Sequence, residues 1–216
     1  MALNIDGTTG ISGVDGSVSA PALTGTDSNT GITFPSADTI KFATGGVERM
    51  SITNSGVSGI TAGITMFDQY RLTTSFTGSA EPISSNIERA DTDSPAFIGS
   101  AMSVSSGVFT FPSTGMYEVG FNLVGQINGD SRFHNAVLQI TTDGTNFSEA
   151  AFGSNSYYNG GGNVLNSCLV IYYFDVTDTS THKVRFRVQV NSSSTQTLGD
   201  TNSNRTSFTF KKIGDT

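Results

Sequence analysis

GVFTFPSTGMYEVGFNLVGQ, residues Gly107 to Gln126, reads as strand, turn, strand. Val108 to Phe111 is short, aromatic and β-branched. Pro112-Ser113-Thr114-Gly115 then interrupts the ladder with one residue that lacks an N–H and another that tolerates positive φ. From Tyr117 the chain alternates, with Tyr117, Val119, Phe121 and Leu123 on one face and Glu118, Gly120 and Asn122 on the other. A period of two predicts a half-buried antiparallel strand.

The following segments repeat that pattern. Ala136 to Thr141 and Asn146 to Ala150 flank Asp143-Gly144, a two-residue hairpin signal. Val184, Phe186, Val188 and Val190 alternate with Arg185, Arg187 and Gln189, and the chain ends near Phe208 and Phe210. Upstream, Phe67 to Phe76 predicts a strand with Tyr70 and Leu72 inward, Glu81-Pro82 a turn, and Ile87 to Arg89 a brief strand. Cys168 to Val176, CLVIYYFDV, is apolar on both faces, so both faces require cover. No amphipathic helical stripe is present, and the predicted class is all-β.

Within the opening stretch, Gly107, Phe109, Pro112, Gly115 and Tyr117 form the phrase Gly-x-Phe-x-x-Pro-x-x-Gly-x-Tyr. It resembles the central signature of trimeric jelly-roll heads, the globular domains of the first complement component and of tumour necrosis factor. The closing strand, Thr206-Ser-Phe-Thr-Phe-Lys211, is similar to theirs but carries Thr209-Phe210 where the family often has glycine. The resemblance covers about two thirds of the chain. It implies a jelly-roll sandwich over residues 66–216 and a homotrimer, with Tyr172, Tyr173, Phe174 and Tyr117 as candidate interface residues.

Residues 1–65 differ in character. Of the 15 Phe and 6 Tyr, only Phe34 and Phe42 lie there, too little large apolar surface for an ordinary core. Gly10-Ile-Ser, Gly31-Ile-Thr, Gly56-Val-Ser and Gly63-Ile-Thr recur irregularly, each a turn followed by a short strand. The expectation is an arm of short strands intertwined with other copies about a threefold axis. The segment Gly25 to Gly56 resembles a module of tail-fibre and surface proteins of tailed phages, particularly cyanophages. In that pattern Ile32 and Phe34, Ile40 and Phe42, and Met50 and Ile52 form three short alternating strands, joined by Pro35-to-Asp38 and Gly45-Gly46 turns. That resemblance implies a virion protein, and Ile5, Ile11, Ile32, Phe34, Ile40 and Phe42 are the candidate attachment residues.

Composition narrows the function classes. The 216 residues carry a net charge of −7, only 13% of them charged, with a pI near 4.6. An acidic chain without a basic stripe is not expected to bind nucleic acid, whose phosphates would repel it. There is no apolar run long enough to span a bilayer, and Met1 to Asp6 lacks the basic start and apolar middle of a signal peptide. A soluble protein made in a bacterial cytoplasm and carried on a virion surface is expected. The single cysteine, Cys168, cannot form an intrachain disulfide and sits in the most apolar strand, where its pKa should rise.

Catalytic patterns are thin. His134 and His182 lack metal-ligand spacing to each other or to Cys168, and each reads as a surface or packing residue. No Gly-x-Ser-x-Gly elbow or phosphate loop is present. Asp91/Asp93 and Asp175/Asp178 fall in loops or at strand ends. The sequence therefore predicts no enzyme, cofactor or metal. Its expected partners are further copies of itself, a major capsid protein or other virion component, and, in the alternative reading, a host surface glycan. For the last, the loop Ser154 to Asn163 supplies Tyr157, Tyr158 and Asn159 as candidate contacts.

Overall fold

The structure of the protein, a computed structural model, describes residues 4–6, 10–12, 15–59, 63–92, 97–158 and 161–216, the first two segments as backbone only. The chain divides into two compact units, Met1–Gly63 and Ile64–Thr216.

In the first unit, β1 (Asn4–Asp6) pairs β2 (Gly10–Ser12), and β3 (Gly16–Ser17) pairs β4 (Ala20–Pro21). A five-stranded antiparallel sheet follows in simple sequence order: β5 (Leu23–Thr24), β6 (Gly31–Thr33), β7 (Ile40–Thr44), β8 (Val47–Thr53) and β9 (Gly56–Ser58). Neighbouring strands are joined by short Gly-, Ser- and Asn-rich turns. Gly45 and Gly46 take φ of 59° and 73° between β7 and β8, a conformation side chains rarely adopt. The sheet is open, with β5 and β9 as its edge strands.

The second unit is a two-sheet sandwich built from β10 (Met66–Leu72), β11 (Phe76–Thr77), β12 (Ile87–Arg89), β13 (Phe97–Ile98), β14 (Ser103–Ser105), β15 (Val108–Thr110), β16 (Gly115–Asn128), β17 (Ser131–Thr141), β18 (Ser148–Tyr157), β19 (Asn163–Val176), β20 (Lys183–Val190), β21 (Gln196–Thr197) and β22 (Ser207–Gly214). One sheet places β22 between β10 and β16, with β19 on the far side of β16. The other runs β14-β15-β20-β17-β18. First and last long strands are thus neighbours, which gives the unit high contact order and ties the C-terminus into the core.

Alternation fills the space between the sheets as the sequence predicts. Tyr117, Val119, Phe121 and Leu123 are fully buried, as are Val184, Val188, Phe208 and Phe210. Register explains why their rings meet: Phe121 lies opposite Phe208 and Val119 opposite Phe210, while Phe208 also faces Tyr70 across β10. Phe186 stacks on Phe208 at 4.5 Å and Phe109 tilts over Phe210 at 4.9 Å. Each such pair contributes about 1 kcal/mol beyond its area.

Two ion-pair networks, one on buried Arg71 and one on buried Asp68, illegible in sequence, fasten Glu88, Arg89, Asp91 and Met102 to β10. Asp68, fully buried, accepts from Arg89 Nε at 2.8 Å and from the Met102 N–H at 2.8 Å. Arg71, 2% exposed, donates to Glu88 at 2.8 Å and to Asp91 at 2.6 Å. Asp91 is therefore an ion-pair partner, while Asp93 lies outside the described residues.

Candidate self-association surfaces

β19 pairs β16 along its full length, from Gly115 opposite Val176 to Asn128 opposite Asn163. Because successive side chains point to opposite faces, its apolar run is split between two environments. Val170, Phe174 and Val176 enter the core. Leu165, Leu169, Ile171 and Tyr173 face outward and are 46–63% exposed. The second face required by the sequence exists, and it is bare in the single chain.

This corrects part of the predicted seam. Tyr117 is buried within its own protomer, its hydroxyl donating to the Ser113 carbonyl at 3.0 Å and its ring 4.7 Å from Phe111. Phe174 is 4% exposed and stacks on His182 at 5.4 Å. Tyr172 packs half-buried against the core. Parity decides the matter: residues 172 and 174 share the inward face, and only Tyr173 of the four is open. Its hydroxyl donates to Glu118 at 3.2 Å, and Glu118 also holds Lys211 at 2.7 Å. The hydrogen bond from Lys211 keeps the Glu118 carboxyl below its ordinary pKa. The apolar stripe is thereby bordered by a paired charged row.

The outer face of the opposite sheet contrasts with it. There Arg185 and Arg187 approach Glu81 at 3.5 and 3.1 Å, and the Arg185 guanidinium lies 4.3 Å over the Phe147 ring.

The tip proposed from sequence also changes. β18 continues to Tyr157, which sits opposite Ser131 and is 4% exposed. Its hydroxyl is 2.8 Å from His134 Nδ1, while His134 Nε2 lies 3.0 Å from the Thr197 hydroxyl. Burial pushes the Tyr157 phenol up to about 12 and the His134 imidazole down to about 4. Tyr157 is thus a core residue closing one end of the sandwich, and the polar run around it disguised a strand. Tyr158 is 83% exposed. Asn159 lies outside the described residues. Cys168 is half-buried, and desolvation raises its thiol pKa as expected. Among the described residues no cluster of three or more His, Cys, Asp or Glu is placed to hold a metal.

The five-stranded sheet of the first unit carries a second bare apolar face. Leu23, Ile32, Phe42 and Met50 form one cross-strand row, and Ile40, Ile52 and Val57 form the next. Ile40 and Phe42 are two residues apart on one strand, so both rows share a face. Leu23, Ile40, Ile52 and Val57 are 37–57% exposed. With Phe34, Ile40 and Ile52 line an open cleft beside Asp38 and Asn54. The reverse face carries Thr33, Lys41, Ser51 and Ser58 in one row. Thr33 there is fully buried, its hydroxyl donating to the Asp15 carbonyl at 2.6 Å. Of the candidate attachment residues, Ile32, Phe34, Ile40 and Phe42 belong to the apolar face or its rim. Ile5 and Ile11 lie opposite each other in the β1–β2 pair.

No family model matches the chain, and no curated protein matches it. Solved structures do. The Eiger TNF of S. frugiperda superposes with a TM-score of 0.51 at 14% identity, covering 71% of this chain and 96% of that one. Murine APRIL at pH 5.0 superposes with a TM-score of 0.50 at 9% identity, covering 68% and 98%. At such identities the likeness establishes the fold: an all-β chain with a jelly roll of the tumour-necrosis-factor type.

Proposed function

We propose that this chain is a non-enzymatic structural protein whose jelly-roll heads assemble as a homotrimer and whose N-terminal unit anchors the trimer to the surface of a bacteriophage particle, as a capsid decoration or cement protein. The observation that carries the self-association is the outward stripe of β19, Leu165, Leu169, Ile171 and Tyr173. An exposed apolar stripe, interrupted at Ser167 and set beside a charged border, is the mark of a protein contact site. Self-association fits the resemblance of the head to trimeric jelly rolls, and closed symmetry fits threefold points of a shell. The phage setting is supported by the tail-fibre-like segment Gly25 to Gly56 and by an acidic, Ser/Thr/Asn/Gly-rich composition. In this reading β1 and β2, with Ile5 and Ile11, belong to the anchor.

A second reading, a receptor-binding fibre tip, is favoured by one observation. Tyr158 stands 83% exposed just past the end of β18, a ring available to stack on a host surface glycan.

Light scattering tests the association: Tyr173→Asp buries a charge in the seam and should convert trimer to monomer. An unchanged trimer would refute the seam. Copy number in purified particles separates the two settings. Hundreds of copies per particle indicate shell decoration, and roughly three to eighteen indicate a tail or a single vertex.

A further inference from the structure

We infer that the bare apolar face of the five-stranded sheet is covered by the same face of the other copies of this chain, so that the N-terminal sheets close on one another as a second hydrophobic core. The sheet is inverted relative to an isolated domain. Its small and hydroxylated side chains, Thr33, Ala43 and Ser51, are at most 5% exposed, while Ile40 and Ile52 are 37–38% exposed. A sheet that hides hydroxyls and displays isoleucines is half of an interface.

Two observations favour further copies over a foreign partner. The two apolar rows hold no charged residue, so nothing in them selects a partner by charge. The exposed area is also of the right order. Leu23, Phe34, Ile40, Ile52 and Val57, 37–57% exposed, leave on the order of 400 Å² bare, about half of one partner's share of a standard interface. That is too little for a strong complex alone and sufficient when a second contact on the same chain raises the local concentration. The inference therefore rests on the head assembly proposed above. It reassigns Ile32, Phe34, Ile40 and Phe42 from particle attachment to self-assembly.

The test uses the full chain in a Cys168→Ala background, with one cysteine returned at Ile52→Cys on the apolar face or at Lys41→Cys on the reverse face. A short bismaleimide is added at low protein concentration, and covalent species are read beside the solution mass. Covalent dimers from Ile52→Cys at least tenfold above those from Lys41→Cys support the inference. A trimeric mass with equal, background-level linking at both sites overturns it and leaves the head assembly standing. Linking and trimeric mass that persist when Tyr173→Asp is added support the inference and overturn the head seam. A monomeric mass with no linking overturns both. Lys41→Cys also serves as the folding control, since that side chain makes only an exposed ion pair with Glu48.

Discussion

The head and the N-terminal sheet obey the same alternation and bury opposite halves of it. In the head, alternate positions of β16 and β22 close over Phe121, Phe208 and Phe210, all fully buried. In the N-terminal sheet, alternate positions of β6, β7 and β8 leave Ile40 and Ile52 open, while Thr33 and Ser51 are covered. The cause is the second layer. The head supplies its own, because β20 and β17 lie over β16 and β22. Among the described residues nothing covers the apolar face of the N-terminal sheet, where Leu23, Ile40, Ile52 and Val57 stay open, and a single amphipathic sheet cannot complete a core. Periodicity therefore fixes which residues share a face. It does not decide whether that face finds its cover within the chain.

The largest effects should come from the layer that is complete. Phe208→Ala removes a ring stacked 4.5 Å from Phe186 and should cost the head about 3–5 kcal/mol in denaturant unfolding, whatever the protein concentration. Ile52→Ala should cost less and should do so only at concentrations where copies associate; a concentration-independent loss of equal size would erase the contrast. Arg89→Ala strands the Asp68 carboxylate, fully buried with the Met102 N–H as its remaining partner. The expected loss is about 3–5 kcal/mol, read as a fall in the melting temperature of the head transition.

A pH profile sharpens the comparison, because buried histidine occurs only in the head. His134 has a folded pKa near 4 against an ordinary 6.5, caused by its burial. The unfolded chain therefore takes the proton first. The stability this neutral ring contributes is present above about pH 6.5, is lost as pH falls towards 4, and stops falling once the folded ring is protonated too. The full loss is on the order of 3 kcal/mol. His134→Gln should flatten the pH 4–6.5 limb of a chemical-denaturation series, and an unaltered limb would assign it to carboxylates alone. Gly125→Ala should cost about 1–3 kcal/mol, since a Cβ there runs into the His134 ring and lies 2.7 Å from the Tyr157 hydroxyl. At the small end, Lys41→Ala loses an exposed pair with Glu48 and should change N-terminal stability by under about 0.5 kcal/mol.

Much of the head was legible beforehand because its strands alternate cleanly. Tyr117 to Leu123 and Val184 to Val190 fall where the pattern puts them, whereas the Asp143-Gly144 hairpin closes over residues 142–147 rather than as a two-residue turn. The seam was half legible. An apolar run such as CLVIYYFDV signals two covered faces, but assigning Tyr173 outward and Phe174 inward requires the register with β16. Tyr157 was misread because Ser154-Asn-Ser-Tyr157 has loop composition, and its strand is held by pairing with β17 rather than by propensity. Asp68, Arg71 and Arg89 gave no signal, since their partners are brought together only by the fold. His134 was open to a packing reading, but its neighbours Tyr157 and Thr197 lie 23 and 63 residues away.

In the proposed assembly two bare apolar faces on one chain are completed by other copies of that chain. Sedimentation equilibrium of the 216-residue chain at micromolar concentration reads this out. A single species of three times the 22.6 kDa chain mass is expected. A monomer of 22.6 kDa, with Tyr173 and Ile52 both solvent-exposed, would contradict it.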